Sequence, residues 1–379
     1  MEMEELPALS ELNNITTYAN QTYFNISNTT GTNDTFNTGV ERSWIYWLPG
    51  PFICGFGIVC NLLNLAVLSQ KRLSDSPYTY LTALATSDLT LLTTSFIHLV
   101  SSEAAKTYLK AFYDVYIFYS FGNVFFNASV WLVVALTIER VLFVTHPMTF
   151  RPSKKVARLS CFLIFLLCSF INIPRFFCYK VIKYKGLYYP HGTAFRESIQ
   201  FYRISWAHAL IITFIPISIL LITNFILIHA LRKAGKERIG LHSNRDEEIR
   251  KDQTRLTRTL VAIVIVFIVC TFPSAFVEDP IAYSLFGGDR TWIDYLKSPA
   301  NQMFIYISNL LVFLNSSLNF VLYCSLNRKF RQATKSLISK LHPYCRQLGN
   351  EIVSQFPSHR THSSTMYSLQ HTHTSQTNL

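Results

Sequence analysis

A chain of 379 residues has the length for one or two soluble domains, yet half of its residues are hydrophobic and only 15% are charged, well below the usual quarter. That balance argues against a soluble fold and for one dissolved in lipid. The formal net charge of +12 would suggest nucleic acid for a soluble protein; here the basic residues flank apolar blocks, so anionic lipid and a cytoplasmic protein partner are expected, and no nucleic acid.

Residues 1–43 are rich in Asn, Thr and Glu and poor in apolar side chains, so they are expected to be disordered. They carry acceptor sequons at Asn14, Asn20, Asn25, Asn28 and Asn33, which are glycosylated only in the secretory lumen. No charged segment followed by an apolar one precedes them, so no cleavable signal peptide is read and the first span is expected to direct insertion. A seven-span domain follows over residues 44–325. Its apolar blocks are Trp44–Leu68, Tyr78–Val100, Val115–Ile138, Leu159–Pro174, Ile204–Leu231, Thr259–Val277 and Ser298–Asn327. Three of them, Val115–Ile138, Ile204–Leu231 and Ser298–Asn327, contain no Asp, Glu, Lys or Arg. The fourth block is the shortest, and Arg158 and Arg175 at its ends are expected to snorkel.

Lys and Arg crowd the segments 70–77, 145–158, 232–258 and 326–346, at about twice their number in the alternate segments, which places the first group in the cytoplasm and the N-terminus outside the cell. Residues 234–253 form a longer charged connection expected to extend the flanking helices. Over 326–341, Phe330, Ala333, Leu337 and Leu341 recur at helical spacing opposite basic residues, predicting a short amphipathic helix at the interface. The tail, 342–379, is dense in Ser, Thr and His and is expected to be disordered and cytoplasmic; its histidines, among them His359, His362, His371 and His373, lack a fixed geometry for metal or catalysis. No enzyme activity is expected.

Polar residues inside the spans carry the functional argument. Asp88 sits in the middle of LTALATSDL, where a carboxylate is costly unless it is used or paired. Glu139 and Arg140 adjoin at the end of the third block, as a switch or as a mark of the membrane boundary. Pro216 and Pro273 each remove a backbone hydrogen bond within a span, which invites a hinge or a passive kink. Asn315, Ser316, Ser317, Asn319 and Tyr323 make a polar stripe that should face inward.

In this order and at these separations, Asn61, Leu84 and Asp88, Glu139–Arg140, Pro216, Phe267 with Cys270 and Pro273, and Asn319 with Tyr323 resemble the rhodopsin-like G-protein-coupled receptors from Asn61 to Phe330. The resemblance implies a sodium pocket of Asp88, Ser129, Asn315, Ser316 and Asn319 that favours the resting state, with sodium the one expected cofactor. It implies a switch in which Glu139 restrains Arg140 and Tyr323 takes part. Pro216, Phe267 and Pro273 become the hinge and trigger that let the sixth helix swing outward to a heterotrimeric G protein. Departures are Thr271 for the usual Trp, Phe320 for Pro, Val141 for Tyr, Asn224 for Tyr, and Val115 where a Cys ties the second extracellular loop to the third span. Cys178 has no mate, so no disulfide is expected. Cys345 is a palmitoylation candidate.

Gly122 stands where an amine receptor has Asp, and the last span has no Lys for retinal. Groups at the outer ends, His98, Glu103, Arg175, Arg203, His208, Glu278, Asp279 and Tyr306, are candidates for recognising peptide termini, amides or side chains. SPYTYLTALATSDL and FLNSSLNFVLYCSLNRKFR are most similar to invertebrate receptors for FMRFamide-like neuropeptides, so a neuropeptide ligand at the cell membrane is expected. A tail phosphorylated at Ser363, Ser364, Thr365 and Ser368 would recruit arrestin. The rivals are a decoy or constitutively active orphan receptor, and a transporter, which would need internal repeats or a continuous charged path.

Overall fold

The computed structural model describes residues 48–101, 107–146, 148–196, 198–236, 244–277, 279–288, 295 and 298–339. The N-terminal sequons, Glu103, Glu278, the Asp279 side chain, Cys345 and the tail lie outside the described residues. The chain divides into two compact units, Met1–Thr334 and Lys335–Leu379.

Among the described residues, seven helices are long and apolar enough to cross a membrane. Helix α1 is Pro49–Leu68 and α2 is Ser76–Val100. Helix α3 runs over Tyr108–Thr145 and α4 over Lys154–Phe177. Helix α5 is built from Ile199–Ala209, Leu210–Phe214 and Ile215–Lys236. Helix α6 is Asn244–Thr271, tightened over Phe272–Phe276 and resumed at Asp279–Phe286. Helix α7 is Pro299–Leu326. A further helix, α8, covers residues 328–339, within the amphipathic stretch read from the sequence. The helices flanking the long charged connection extend into it: α5 continues to Lys236 and α6 begins at Asn244.

The bundle is polar inside and apolar outside. Asn61, Asn64, Asp88, Asn127, Ser129, Asn315 and Asn319 are buried, while Phe52, Phe56, Phe162, Phe170, Ile222, Phe225 and Val269 are exposed. Lipid tails solvate the second set as well as any core would, so close approach and interhelical hydrogen bonds must hold the helices together. Helix α4 shows how small residues serve this: Ala157, Cys161, Cys168 and Asn172 form its buried stripe, at the four- and seven-residue spacings of one helical face.

Proline explains the irregular turns. Pro174 and Pro273 each sit in a 3₁₀ turn, Ile173–Phe177 and Phe272–Phe276, which reroutes the carbonyls their missing N–H groups would leave. Ser274 Oγ donates to Thr271 O at 2.7 Å. In α5 the wider π turn Leu210–Phe214 ends just before Pro216, moving the clashing carbonyl away from the ring. The π stretch Tyr113–Phe121 in α3 contains no proline. There Ser120 Oγ donates to Val115 O, five residues back, at 2.8 Å, and also lies 3.2 Å from Arg175 O.

Between α4 and α5 the chain forms a two-stranded antiparallel hairpin, β1 Tyr179–Tyr184 with β2 Leu187–Gly192. The turn residues Lys185 and Gly186 have φ of 48° and 83°, the left-handed pair that a two-residue hairpin turn demands. The sequence reading contained no strands here. Helix α8 is seated by Asn327, whose Oδ1 accepts from Phe330 N at 3.2 Å. The Phe330 ring is fully buried against Phe320 and Tyr323, and Gln70 Nε2 donates to Ala333 O at 3.0 Å.

Candidate functional site: a cavity joined to a buried arginine

A cavity of about 390 Å³ opens at the hairpin end of the bundle, lined by residues of α2 to α7 and of the hairpin. That volume suits a small ligand or the tip of a larger one. Phe118, Tyr119, Phe126, Tyr179 and Phe201 supply its aromatic surface, and Asn123, Arg175, Arg196, His208 and Asn309 its polar groups. Of the predicted ligand residues, Arg175 and His208 line it. Arg203 is exposed on α5: it lies five residues from His208, about 140° round the helix. Tyr306 packs against the apolar cluster of Cys54, Leu92, Leu99 and Phe313. His98 is partly buried, stacked on Phe118 at 3.8 Å with its Nδ1 2.8 Å from Asp114 Oδ1.

Asp114 belongs to a clamp between α2 and α3 that the sequence reading missed. It pairs with Lys110 one turn away as well as with His98, and Tyr113 Oη donates to Thr94 O at 2.9 Å. The neighbouring Val115 is fully buried, and Cys178 is buried too, with its Sγ 3.4 Å from Pro174 O. Thus packing and the clamp hold the top of α3 where the resemblance led one to look for a disulfide. Asp114→Ala is expected to cost about 1–3 kcal/mol by stranding the partners of the carboxylate, seen as a lower thermal midpoint of the purified protein; His98→Ala should cost less, because Lys110 keeps Asp114 paired.

Behind the cavity wall lies a second polar set. Asn172 Nδ2 donates to Cys168 O at 2.7 Å, Asn127 Nδ2 donates to Asn172 Oδ1 at 3.1 Å, and the same Asn127 nitrogen lies 3.0 Å from His208 Nε2. Asn127 and Asn172 were also missed; a lone Asn inside an apolar run was the available signal.

One step further along the bundle sits Asp88, fully buried. Asn319 Nδ2 donates to its Oδ2 at 2.7 Å, and the Ser129 and Ser316 hydroxyls approach the same carboxylate. Oδ1 has no hydrogen-bond partner, nor has the buried hydroxyl of Tyr323. A buried carboxylate with one oxygen unsatisfied is an expensive group, and the oxygens around it are of the kind a hard monovalent cation takes. The residues present therefore fit the implied sodium ion. Asn315 is buried on the same helix as Asn319. Nearby, Asn61 Nδ2 donates to Gly57 O and to Ser316 O, each at 2.9 Å, stapling α1 to α7.

At the far end, Arg140 is 2% exposed. Its Nη2 donates to Glu139 Oε1 at 3.3 Å, its guanidinium lies 5.6 Å from the Phe143 ring centre, and Ser76 Oγ donates to Glu139 Oε2 at 2.6 Å. From Ser129, beside Asp88, to Arg140 is three turns of α3, about 16 Å. The levels are threaded by shared helices: Leu91, Asp88 and Ser76 lie on α2, Asn123, Ser129 and Arg140 on α3, and Asn309, Ser316 and Asn319 of α7 serve the cavity and the Asp88 level. Phe267 is a fully buried ring of α6, one turn and a half before Pro273.

Comparison with known proteins agrees with this architecture. The model of the "7 transmembrane receptor (rhodopsin family)" matches residues 61–323. The chain is 26% identical over 322 residues to the FMRFamide receptor of Drosophila melanogaster, covering 79% of this chain and 55% of that protein. It is 27% identical over 242 residues to sex peptide receptor-related protein 2 of Caenorhabditis elegans, 58% and 52% respectively. With the sex peptide receptor of Drosophila melanogaster it shares 26% over 326 residues, 76% and 71%. The chain thus spans about half the length of the first two of these relatives and more of the third. With seven crossing helices, the polar axis from cavity to arginine and a family match over most of its length, this multi-pass membrane protein belongs to the rhodopsin family of seven-transmembrane receptors.

Proposed function

We propose that this protein is a cell-surface receptor for a neuropeptide-like ligand that passes binding to a heterotrimeric G protein. The carrying observation is the polar axis: a cavity open at one end, a charged residue pair held shut at the other, and a buried carboxylate between them on shared helices. The names of the relatives, an FMRFamide receptor and sex peptide receptors, supply the peptide class. The N-terminus and hairpin face outside, where the sequons lie, and Arg140 faces the cytoplasm. Arrestin would take the phosphorylated tail.

A receptor of this kind is a two-state bundle whose ligand can shift the balance only by binding one state better. In the resting arrangement Glu139 and Ser76 hold the Arg140 region closed. The bends at Pro216 and Pro273 let the cytoplasmic halves of α5 and α6 move without unravelling. Sodium, when bound, supplies positive charge beside the Asp88 carboxylate and favours rest; Asp88, Ser129, Ser316 and Asn319 would hold it, with Tyr323 facing the same space. Replacing sodium by choline in the medium is expected to raise ligand-free signalling by several-fold, and Asp88→Asn should remove that dependence. An unchanged sodium response in the variant would refute the role given to Asp88.

The reading itself is tested in cells expressing the chain, by second-messenger output against a panel of neuropeptides, amidated and free-acid, with surface expression measured in parallel. A response to a peptide, lost in Arg140→Ala at equal surface expression, is the predicted outcome. Silence across all G-protein pathways from a well-expressed protein would overturn it.

A further inference from the structure

Where α5 and α6 run toward the charged connection they leave a second groove, of about 370 Å³, lined by Ile228 and Arg232 of α5 and by Arg258 and Val261 of α6. Spacing fixes its direction. Ile228 and Arg232 are four residues apart and Arg258 and Val261 three, so each pair shares one helical face. Followed away from the connection, these faces bring Phe225 and Leu221 on α5 and Ile265 and Val269 on α6, all exposed. A different face of each helix is the packed one, with Leu220, Asn224 and Leu227 of α5 and Leu260, Val264 and Phe267 of α6 buried. The groove therefore opens outward, onto lipid, and not into the bundle.

Depth adds to direction. The apolar crossing segments end at Ala230 in α5 and begin at Thr257 in α6, so Arg232 and Arg258 flank the groove where hydrocarbon gives way to headgroups. Both are exposed. One arginine at a helix end needs only water or any passing phosphate to snorkel to. Two from different helices on one groove make a more selective surface: each guanidinium presents a planar fork of donors that matches phosphate oxygens, and an anion that both reach relieves the repulsion between them. Among the described residues that line the groove there is no Asp or Glu to take that place.

From this juxtaposition we propose that the groove binds one anionic phospholipid of the cytoplasmic leaflet, its headgroup phosphate shared by Arg232 and Arg258 and one acyl chain laid over Ile228 and Val261 toward Phe225 and Ile265. The chemistry selects a phosphomonoester head. A phosphodiester offers two free oxygens and a single charge, whereas a monoester offers three oxygens and about −1.5 to −2 of charge at neutral pH, enough for two guanidiniums. The site goes beyond the receptor reading and does not depend on which ligand fills the cavity at the other end.

The test uses the purified full-length protein in a neutral detergent, titrated with phosphatidic acid or phosphatidylcholine and read by native mass spectrometry. One phosphatidic acid should bind at about tenfold lower concentration than phosphatidylcholine, and about a hundredfold excess of glycerol 3-phosphate should leave it bound. Arg232→Gln/Arg258→Gln should erase the preference, while Lys154→Gln/Arg158→Gln, which removes two exposed charges from the start of α4, should keep it. Thermal midpoints in detergent alone show whether the variants are folded; should the groove pair not be, Arg258→Gln by itself should reduce the preference several-fold. An undiminished preference in the groove variants, or an equal loss in the α4 control, leaves only a generally basic surface and overturns the proposal. Displacement by glycerol 3-phosphate overturns the lipid as occupant. So does a groove variant that keeps the lipid preference but loses nucleotide exchange on a G protein in the same detergent, which would give the groove to a protein partner.

Discussion

Gly57→Leu is expected to eliminate folded protein from the membrane, and Gly57→Ala to leave a protein with a clearly reduced thermal midpoint. A Cβ at this position would fall inside the Ser317 hydroxyl and 2.6 Å from Leu92 Cδ1. Neither neighbour is free to give way. Ser317 Oγ donates to Phe313 O at 2.7 Å and sits 3.0 Å from Ile53 O, bridging α7 to α1, and Leu92 is fully buried. The Gly57 carbonyl also accepts from Asn61, whose second bond reaches α7. A single methyl therefore pushes on three helices at once, at about 1–3 kcal/mol for one overpacked methylene-sized group, and four heavy atoms exceed what the joint can absorb. The paired variant Gly57→Ala/Ser317→Gly should recover much of the midpoint lost by Gly57→Ala. Fluorescence-detected size exclusion over a temperature ramp measures both; wild-type behaviour of Gly57→Leu would show that α1 is not packed as described.

The positions of the spans were legible because charge-free apolar runs have few other uses. Their ends were less so. Helix α4 begins at Lys154, before the apolar block at Leu159, because Lys154, Lys155 and Arg158 keep their charges at the helix end while their stems continue the helix. The hairpin was hidden inside a segment judged only by its charge. Its signal was nevertheless present in YKVIKYKGLYY, alternation around a Lys-Gly turn. Pro216 announced a bend in α5 but not its form, since the π turn depends on where the displaced carbonyls find donors.

At the site, Asp88, Asn319, Glu139 and Arg140 were visible because a polar group in a span has to be explained. The ligand-facing residues were harder. Arg203 and His208 are both at the outer end of α5, and only the phase of the helix, shifted by an irregular turn, tells which one meets the cavity. His98 was a candidate for the ligand because it lies near water in sequence terms, whereas Asp114 and Phe118 claim it. Asn127 and Asn172 matter through each other and through His208, a three-helix relation that no single stretch of sequence contains.

The second large effect concerns the charged pair at the end of α3. Glu139 holds Arg140 in a site where each is buried, so removing the carboxylate strands the guanidinium and raises the energy of the closed state, while an open state exposes it to water or to a protein surface. The balance should therefore move toward the open form, by a factor of about 5 to 150 if the pair carries a coupling of ordinary size. Ser76→Ala, which removes the hydroxyl donor to Glu139, should move it the same way and less far.

The most direct measurement needs no ligand: nucleotide exchange on purified heterotrimeric G proteins, one from each major class, by the reconstituted receptor and its Glu139→Ala and Arg140→Ala variants. With at least one class, Glu139→Ala should raise exchange several-fold over the unaltered receptor and Arg140→Ala should reduce it to that of empty membranes. Equal rates from all three folded proteins, or exchange that survives the loss of Arg140, would contradict the claim that this buried arginine is the output of the receptor.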